Sequence, residues 1–184
     1  MKRVLLTVAV ALLIPGMVGA ANPTLGVYFT GTTWHDPAAP FTQFQAQLVI
    51  VQSEYYVTGV EYQLITPSDP AHSQFFIQSY TLPEGSLEIG GPFAGHAITF
   101  WPPLTGYPEG YDVCATYTCM TTVTCPEMLD YQLVIGPHPG SGELRGSYSP
   151  DNELFPIDGL TSYLCLDQIG VEEESWGAIK SMYR

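Results

Sequence analysis

The side chains able to do chemistry in this sequence are its cysteines, histidines and acids, and their spacing separates covalent, catalytic and binding roles. Cys114, Cys119, Cys125 and Cys165 form an even set. In an exported chain such a set reads as two disulfides, for which three connectivities exist. Cys119–Cys125 brackets MTTVT as a short loop, and Cys114–Cys165 then ties the last strand to a middle one. Closing so long a loop is worth several kcal/mol in the chain-entropy model. The rival pairing is Cys114–Cys119 with Cys125–Cys165. A zinc site is disfavoured, because the spacing lacks the tight pair of cysteines that structural zinc requires.

His35, His72, His96 and His138 are far apart, and none sits in a paired-ligand motif such as HExxH. His35, His72 and His138 fall in proline-rich loops and read as surface or capping groups, whereas His96 opens a strand at the edge of the core. No G-x-S-x-G elbow marks an acyl-transfer nucleophile. The glycine-rich PHPGSGELRG lacks the following helix that a phosphate cradle needs. With 18 acids, carboxylate pairs for glycoside hydrolysis arise by chance, so spacing argues nothing there. Asp151, Asn152, Glu153 and nearby Asp158 offer clustered oxygens for calcium, but without the loop pattern of a calcium hand, and a polar turn rich in Asx residues is the better reading. Otherwise no cofactor is implied. Trp34, Trp101 and Tyr107 are the aromatics best placed on loops or strand ends to stack on a sugar, with Tyr55 and Tyr56 as further candidates.

These residues need a scaffold, and the chain supplies one after a leader. Lys2 and Arg3 precede the apolar run Val4–Ile14. Pro15-Gly16 breaks that run, and Val18-Gly19-Ala20 resembles a cleavage site. Residues 1–20 therefore read as a signal peptide cut after Ala20, too short to span about 30 Å of hydrocarbon. Export to the extracellular space, cell surface or periplasm follows. Removing Lys2 and Arg3 leaves 5 − 2 = 3 basic residues against 18 acids. So negative a chain repels nucleic acid and anionic lipid, and no membrane insertion is expected once the leader is cut.

Residues 21–170 read as one β-domain. In FTQFQAQLVIVQ, Phe44, Ala46, Leu48 and Ile50 alternate with glutamines. In YYVTGVEYQLI, Val60, Tyr62 and Leu64 oppose Glu61 and Gln63. Period two with one polar side marks half-buried strands, and Gly59 reads as a bulge. LGVYFT, QFFIQSYTL, SLEIG, HAITFW (stopped at Pro102-Pro103), YDVCATYTC, DYQLVIG, ELRGSYS and LTSYLCL continue the list. About nine or ten short strands without crossover helices predict an all-β, mostly antiparallel two-sheet sandwich of immunoglobulin-like or jelly-roll topology.

Residues 171–184, VEEESWGAIKSMYR, break the pattern. Ser175 caps a short helix, with Glu172, Glu173 and Glu174 at its positive end and Lys180 and Arg184 toward its negative end. Trp176, Ile179 and Tyr183 share one face, and Gly177 weakens the helix by about 1 kcal/mol. As a recognition element, Trp176, Gly177, Ile179, Lys180, Tyr183 and Arg184 read either as a helix docked on the body or as a sorting tag. The tag is favoured because the last predicted strand ends before Glu172.

The opening LGVYFT, the body with GVEYQL and the closing WGAIKSMYR together resemble exported bacterial β-sandwich proteins that carry a (S/T)WGxIKxxYR-like tail. The body is similar to cohesin-like and other immunoglobulin-like modules. Cohesins bind a calcium-loaded partner module through one sheet face, but this sequence shows no signature of that binding, so the activity is not carried over, and the resemblance brings no catalytic residues with it. The function expected is a non-enzymatic binding or structural role with a protein or glycan partner. The alternatives are a carbohydrate-binding module and a small jelly-roll hydrolase.

Overall fold

The computed structural model describes residues 22–29, 40–51, 56–105, 110–124 and 131–164. The strands are β1 (Thr24–Phe29), β2 (Gln43–Val51), β3 (Val57–Ile65), β4 (Phe75–Thr81), β5 (Leu87–Gly91) and β6 (Gly95–Leu104). They continue with β7 (Tyr111–Thr121), β8 (Gln132–Gly136), β9 (Arg145–Tyr148), β10 (Glu153–Pro156), β11 (Asp158–Gly159) and β12 (Thr161–Tyr163). One sheet has the order β11-β1-β2-β7-β4. The other runs β10-β9-β3-β6-β5, with β8 pairing the far end of β3 and β12 pairing β8. All pairs are antiparallel except β1 with β11.

The alternation read in the sequence is what packs the sheets. Phe44, Ala46, Leu48 and Ile50 of β2 are buried, as are Val60, Tyr62 and Leu64 of β3. With Leu25, Val27, Phe75, Ile98, Phe100, Leu133 and Leu164 they form one core. Burying a large apolar side chain contributes about 1.5–3 kcal/mol, so these residues determine which way each strand faces.

Three departures have local causes. There are twelve strands rather than nine or ten. The additional β10 and β11 come from NELFPIDG, where Phe155 and Ile157 are buried although the segment reads as a polar turn. β6 does not stop at Trp101. Gly59 faces Thr99 while Val57 faces Leu104, so Pro102 and Pro103 fall in a register jump that asks no ladder bond of them. The bulge expected at Gly59 is present, since pairing shifts between Val57 and Gly59 on both sides of β3. No helix occurs among the described residues; the helix expected in residues 171–184, and the leader, lie outside them.

Candidate functional site

The larger sheet turns one face to the core and leaves the other uncovered by described residues. Register aligns Leu154, Ser147, Gly59, Thr99 and Leu87 in one outer row. Pro156, Arg145, Glu61, Ala97 and Ile89 form the next. At the β5 edge Leu87 is 75% exposed, Ile89 78% and Trp101 78%. Leu154, on the opposite edge, is 61% exposed. Single exposed apolar residues need no explanation, but Leu87, Ile89 and Trp101 lie on adjacent strands and form a patch.

The middle of this face is low. A Cβ at Gly59 would lie 2.9 Å from the Ile98 carbonyl oxygen and 3.0 Å from Ser147 Oγ, so only glycine fits without displacement. The resulting depression, about 70 Å³, is lined by Gly59, Thr99, Ser147 and Leu154. Arg145 spans its rim: Nε donates to Glu61 Oε2 at 2.9 Å and Nη1 to Glu143 Oε2 at 2.8 Å. Partial burial opposes ionisation of Glu61, but hydrogen bonds from Arg145 and Ser141 and the guanidinium charge outweigh it and hold its carboxyl low.

Behind the patch lies a buried polar array. His96 of β6 is fully buried, with Nδ1 2.8 Å from the Tyr62 hydroxyl and Nε2 2.7 Å from Glu88 Oε2. Tyr62 also hydrogen-bonds the Tyr117 hydroxyl of the opposite sheet. Tyr80 sets its ring edgewise on His96 at 5.4 Å and on Tyr117 at 6.2 Å. The Glu88 carboxylate only accepts, so in the neutral imidazole Nε2 carries the proton and Nδ1 accepts from Tyr62. Tyr117 then donates to the Tyr62 oxygen, and the chain runs in one direction from core to surface. Burial lowers the His96 pKa, outweighing the raising effect of Glu88, and pushes the Tyr62 and Tyr117 hydroxyls well up. An imidazole sealed this way joins the two sheets and holds the edge strand β5 through Glu88.

A second polar knot closes the β3–β4 connection. Asp69, 5% exposed, accepts the Ser73 and Gln74 backbone N–H groups at 2.9 and 2.7 Å, the Ser73 hydroxyl at 2.9 Å and the Tyr131 hydroxyl at 3.2 Å. Burial alone would raise its pKa, but the hydrogen bonds from Gln74 and Ser73 lower it overall. In the sequence, TPSDPAHS reads as an ordinary loop. The signal within it is an aspartate between two prolines with serine four residues on, the pattern of an Asx-type turn.

The sequence-predicted residues are scattered by the fold. Trp101 lies on the exposed face, and Trp34, Tyr55 and Tyr107 lie outside the described residues. Tyr56 is 59% exposed. Asp151 and Asn152 occupy the β9–β10 turn. Glu153 accepts from Tyr148 in the larger sheet, and Asp158 faces Asn22 beside β1 in the smaller. Among the described residues no three His, Cys, Asp or Glu side chains are grouped to hold a metal ion. His72 and His138 cap turns as expected, through Thr66 and the Gly140 N–H. His96 lies within the core rather than at its edge. Trp176, Gly177, Ile179, Lys180, Tyr183 and Arg184 lie outside the described residues, as does His35.

Cys114 and Cys119 of β7 are buried, and no disulfide joins them to each other. In the thiol form burial raises both, Cys119 to about 12. Five residues of strand put them about 16 Å apart, too far for a bond that tolerates about 7 Å between Cα atoms, which removes the rival Cys114–Cys119 pairing. Cys125 and Cys165, the other proposed partners, lie outside the described residues.

The sequence matches no protein-family model and no curated protein. Among solved structures the chain is similar to a cohesin module from a Clostridium perfringens family 33 glycoside hydrolase. That match has 9% identity and a TM-score of 0.50, covering 77% of this chain and 96% of that one. It is also similar to a non-cellulosomal cohesin from the archaeon Archaeoglobus fulgidus, at 11% identity and a TM-score of 0.50, covering 86% of this chain and 98% of that one. At such identities the likeness is one of fold: a cohesin-like β-sandwich.

Proposed function

We propose that this chain is a non-enzymatic protein-binding module that docks its partner on the outer face of the larger sheet. The observation that carries the reading is the contiguous patch of Leu87, Ile89 and Trp101, each at least three-quarters exposed on a rigid sheet. Cohesins bind a partner through a sheet face, and the cohesin-like fold supports the same use here. Among the described residues Arg145 is the one Lys or Arg, and two glutamates already hold it. The partner surface is therefore apolar at its centre and basic at its rim. Residues 1–20 support an exported module, and the activity needs no cofactor.

Affinity capture from the extracellular fraction, with the full chain as bait, tests this. A partner held by the wild type should bind Ile89→Asp about 30-fold more weakly by calorimetry, as loss of a 2 kcal/mol anchor implies. A control change at Tyr28, on the opposite sheet, should leave binding intact. Equal binding by the Ile89→Asp variant would refute the reading. The exposure of Trp101 favours one second reading, a sugar-stacking face. Glycan-array signal lost on Trp101→Ala would support that reading instead.

A further inference from the structure

We propose that residues 175–184 of this same chain dock on the β5 edge of that face and occupy it until a partner displaces them. The inference rests on the docking reading above and names its regulation. The patch and the segment are complementary in kind. SWGAIKSMYR places Trp176, Ile179 and Tyr183 on one face at helical spacing, with Lys180 and Arg184 beside them. Leu87, Ile89 and Trp101 offer matching apolar surface. Glu84, exposed in the turn before β5, stands at its border, whereas Glu88 turns to the other face of β5 and is held by His96. Among the described residues the one Lys or Arg, Arg145, is tied to Glu61 and Glu143 three strands away on the same face and is not available to Glu84. The segment brings two cations.

The connection is long enough. The order β12-β8-β3-β6-β5 separates Tyr163 from Ile89 by four strand spacings, and the registers offset them by about six residues. The diagonal is about 28 Å. The steps from Leu164 to Trp176 span up to about 40 Å. A tether of this length holds the segment at millimolar effective concentration, so even a weak contact stays formed. A short helix that is marginal alone gains the packing it lacks.

Limited trypsin digestion of the full chain tests this, because Lys180 is the one tryptic site between Arg145 and Arg184. Cleavage after Lys180, followed by mass spectrometry, should be at least about tenfold slower in the wild type than in Ile89→Asp. Trp176→Ala should accelerate it equally, and the double variant should add nothing. Leu87→Asp is a second exposed-site probe, and circular dichroism confirms that each variant is folded. Equal cleavage rates in all chains would overturn the proposal. Protection lost on dilution would also overturn it, by assigning the contact to a second copy. An unprotected Lys180 with an Ile89-dependent external partner sinks only the segment's role. A partner indifferent to Ile89 sinks the docking reading itself.

Discussion

Tyr62→Phe removes the central hydroxyl of a one-directional chain, and the consequences follow from its wiring. Tyr117 loses its acceptor and His96 Nδ1 loses its donor, both inside the core. Each orphaned buried group costs about 1–3 kcal/mol, so the variant should lose about 3 kcal/mol. Tyr117→Phe removes only the terminal donor. Tyr62 keeps its bond to His96, and the loss should be about 1 kcal/mol. In the double variant the Tyr117 orphan no longer exists, and the cost should be about 2 kcal/mol. Tyr117→Phe is thus destabilising in the wild type and stabilising by about 1 kcal/mol in the Tyr62→Phe background, a change of sign within one double-mutant cycle. Urea denaturation followed by fluorescence, with a common slope for all four proteins, reads these differences from the midpoints. Additive losses, with Tyr117→Phe equally harmful in both backgrounds, would refute the serial wiring.

Stability should also fall on mild acidification. The folded-state pKa of His96 is depressed, so its contribution is present above the unfolded value of 6.5. That contribution is lost as pH falls from there toward the folded value, at up to about 1.4 kcal/mol per pH unit. His96→Gln should flatten this limb in a pH series of urea midpoints. Asp69 and Glu61, both depressed below their unfolded values of 3.8 and 4.5, add a second loss at lower pH. Asp69→Ala strips the acceptor from four donors and should cost about 3–5 kcal/mol, seen as a lowered Tm and faster proteolysis near residue 70. The disulfide proposal predicts that Cys114 and Cys119 resist alkylation even in unfolded, unreduced protein and react only after reduction. Labelling on unfolding alone would refute it.

Period two in β2 and β3 was enough to assign Ala46, Leu48, Val60 and Tyr62 to the core, because a strand has only two faces and one is apolar. The same local logic found the Gly59 bulge. It failed at NELFPIDG, whose turn-rich composition hides Phe155 and Ile157, and at Pro102-Pro103, where a register jump removes the need for ladder bonds. The fate of the chemistry-bearing residues lay beyond local pattern. His96 and Glu88 are eight residues apart, Tyr62 and Tyr117 fifty-five, and only sheet pairing and sheet stacking bring them into one chain of hydrogen bonds. The same registers gather Leu87, Ile89 and Trp101 into a patch and send Glu153 and Asp158 to different sheets. The sequence by itself determined an acidic, all-β chain and the inward side of its main strands, because burial of alternate residues is a local property. Which side chains meet across strands was decided by tertiary structure, because register and stacking are set by the packing of the whole core.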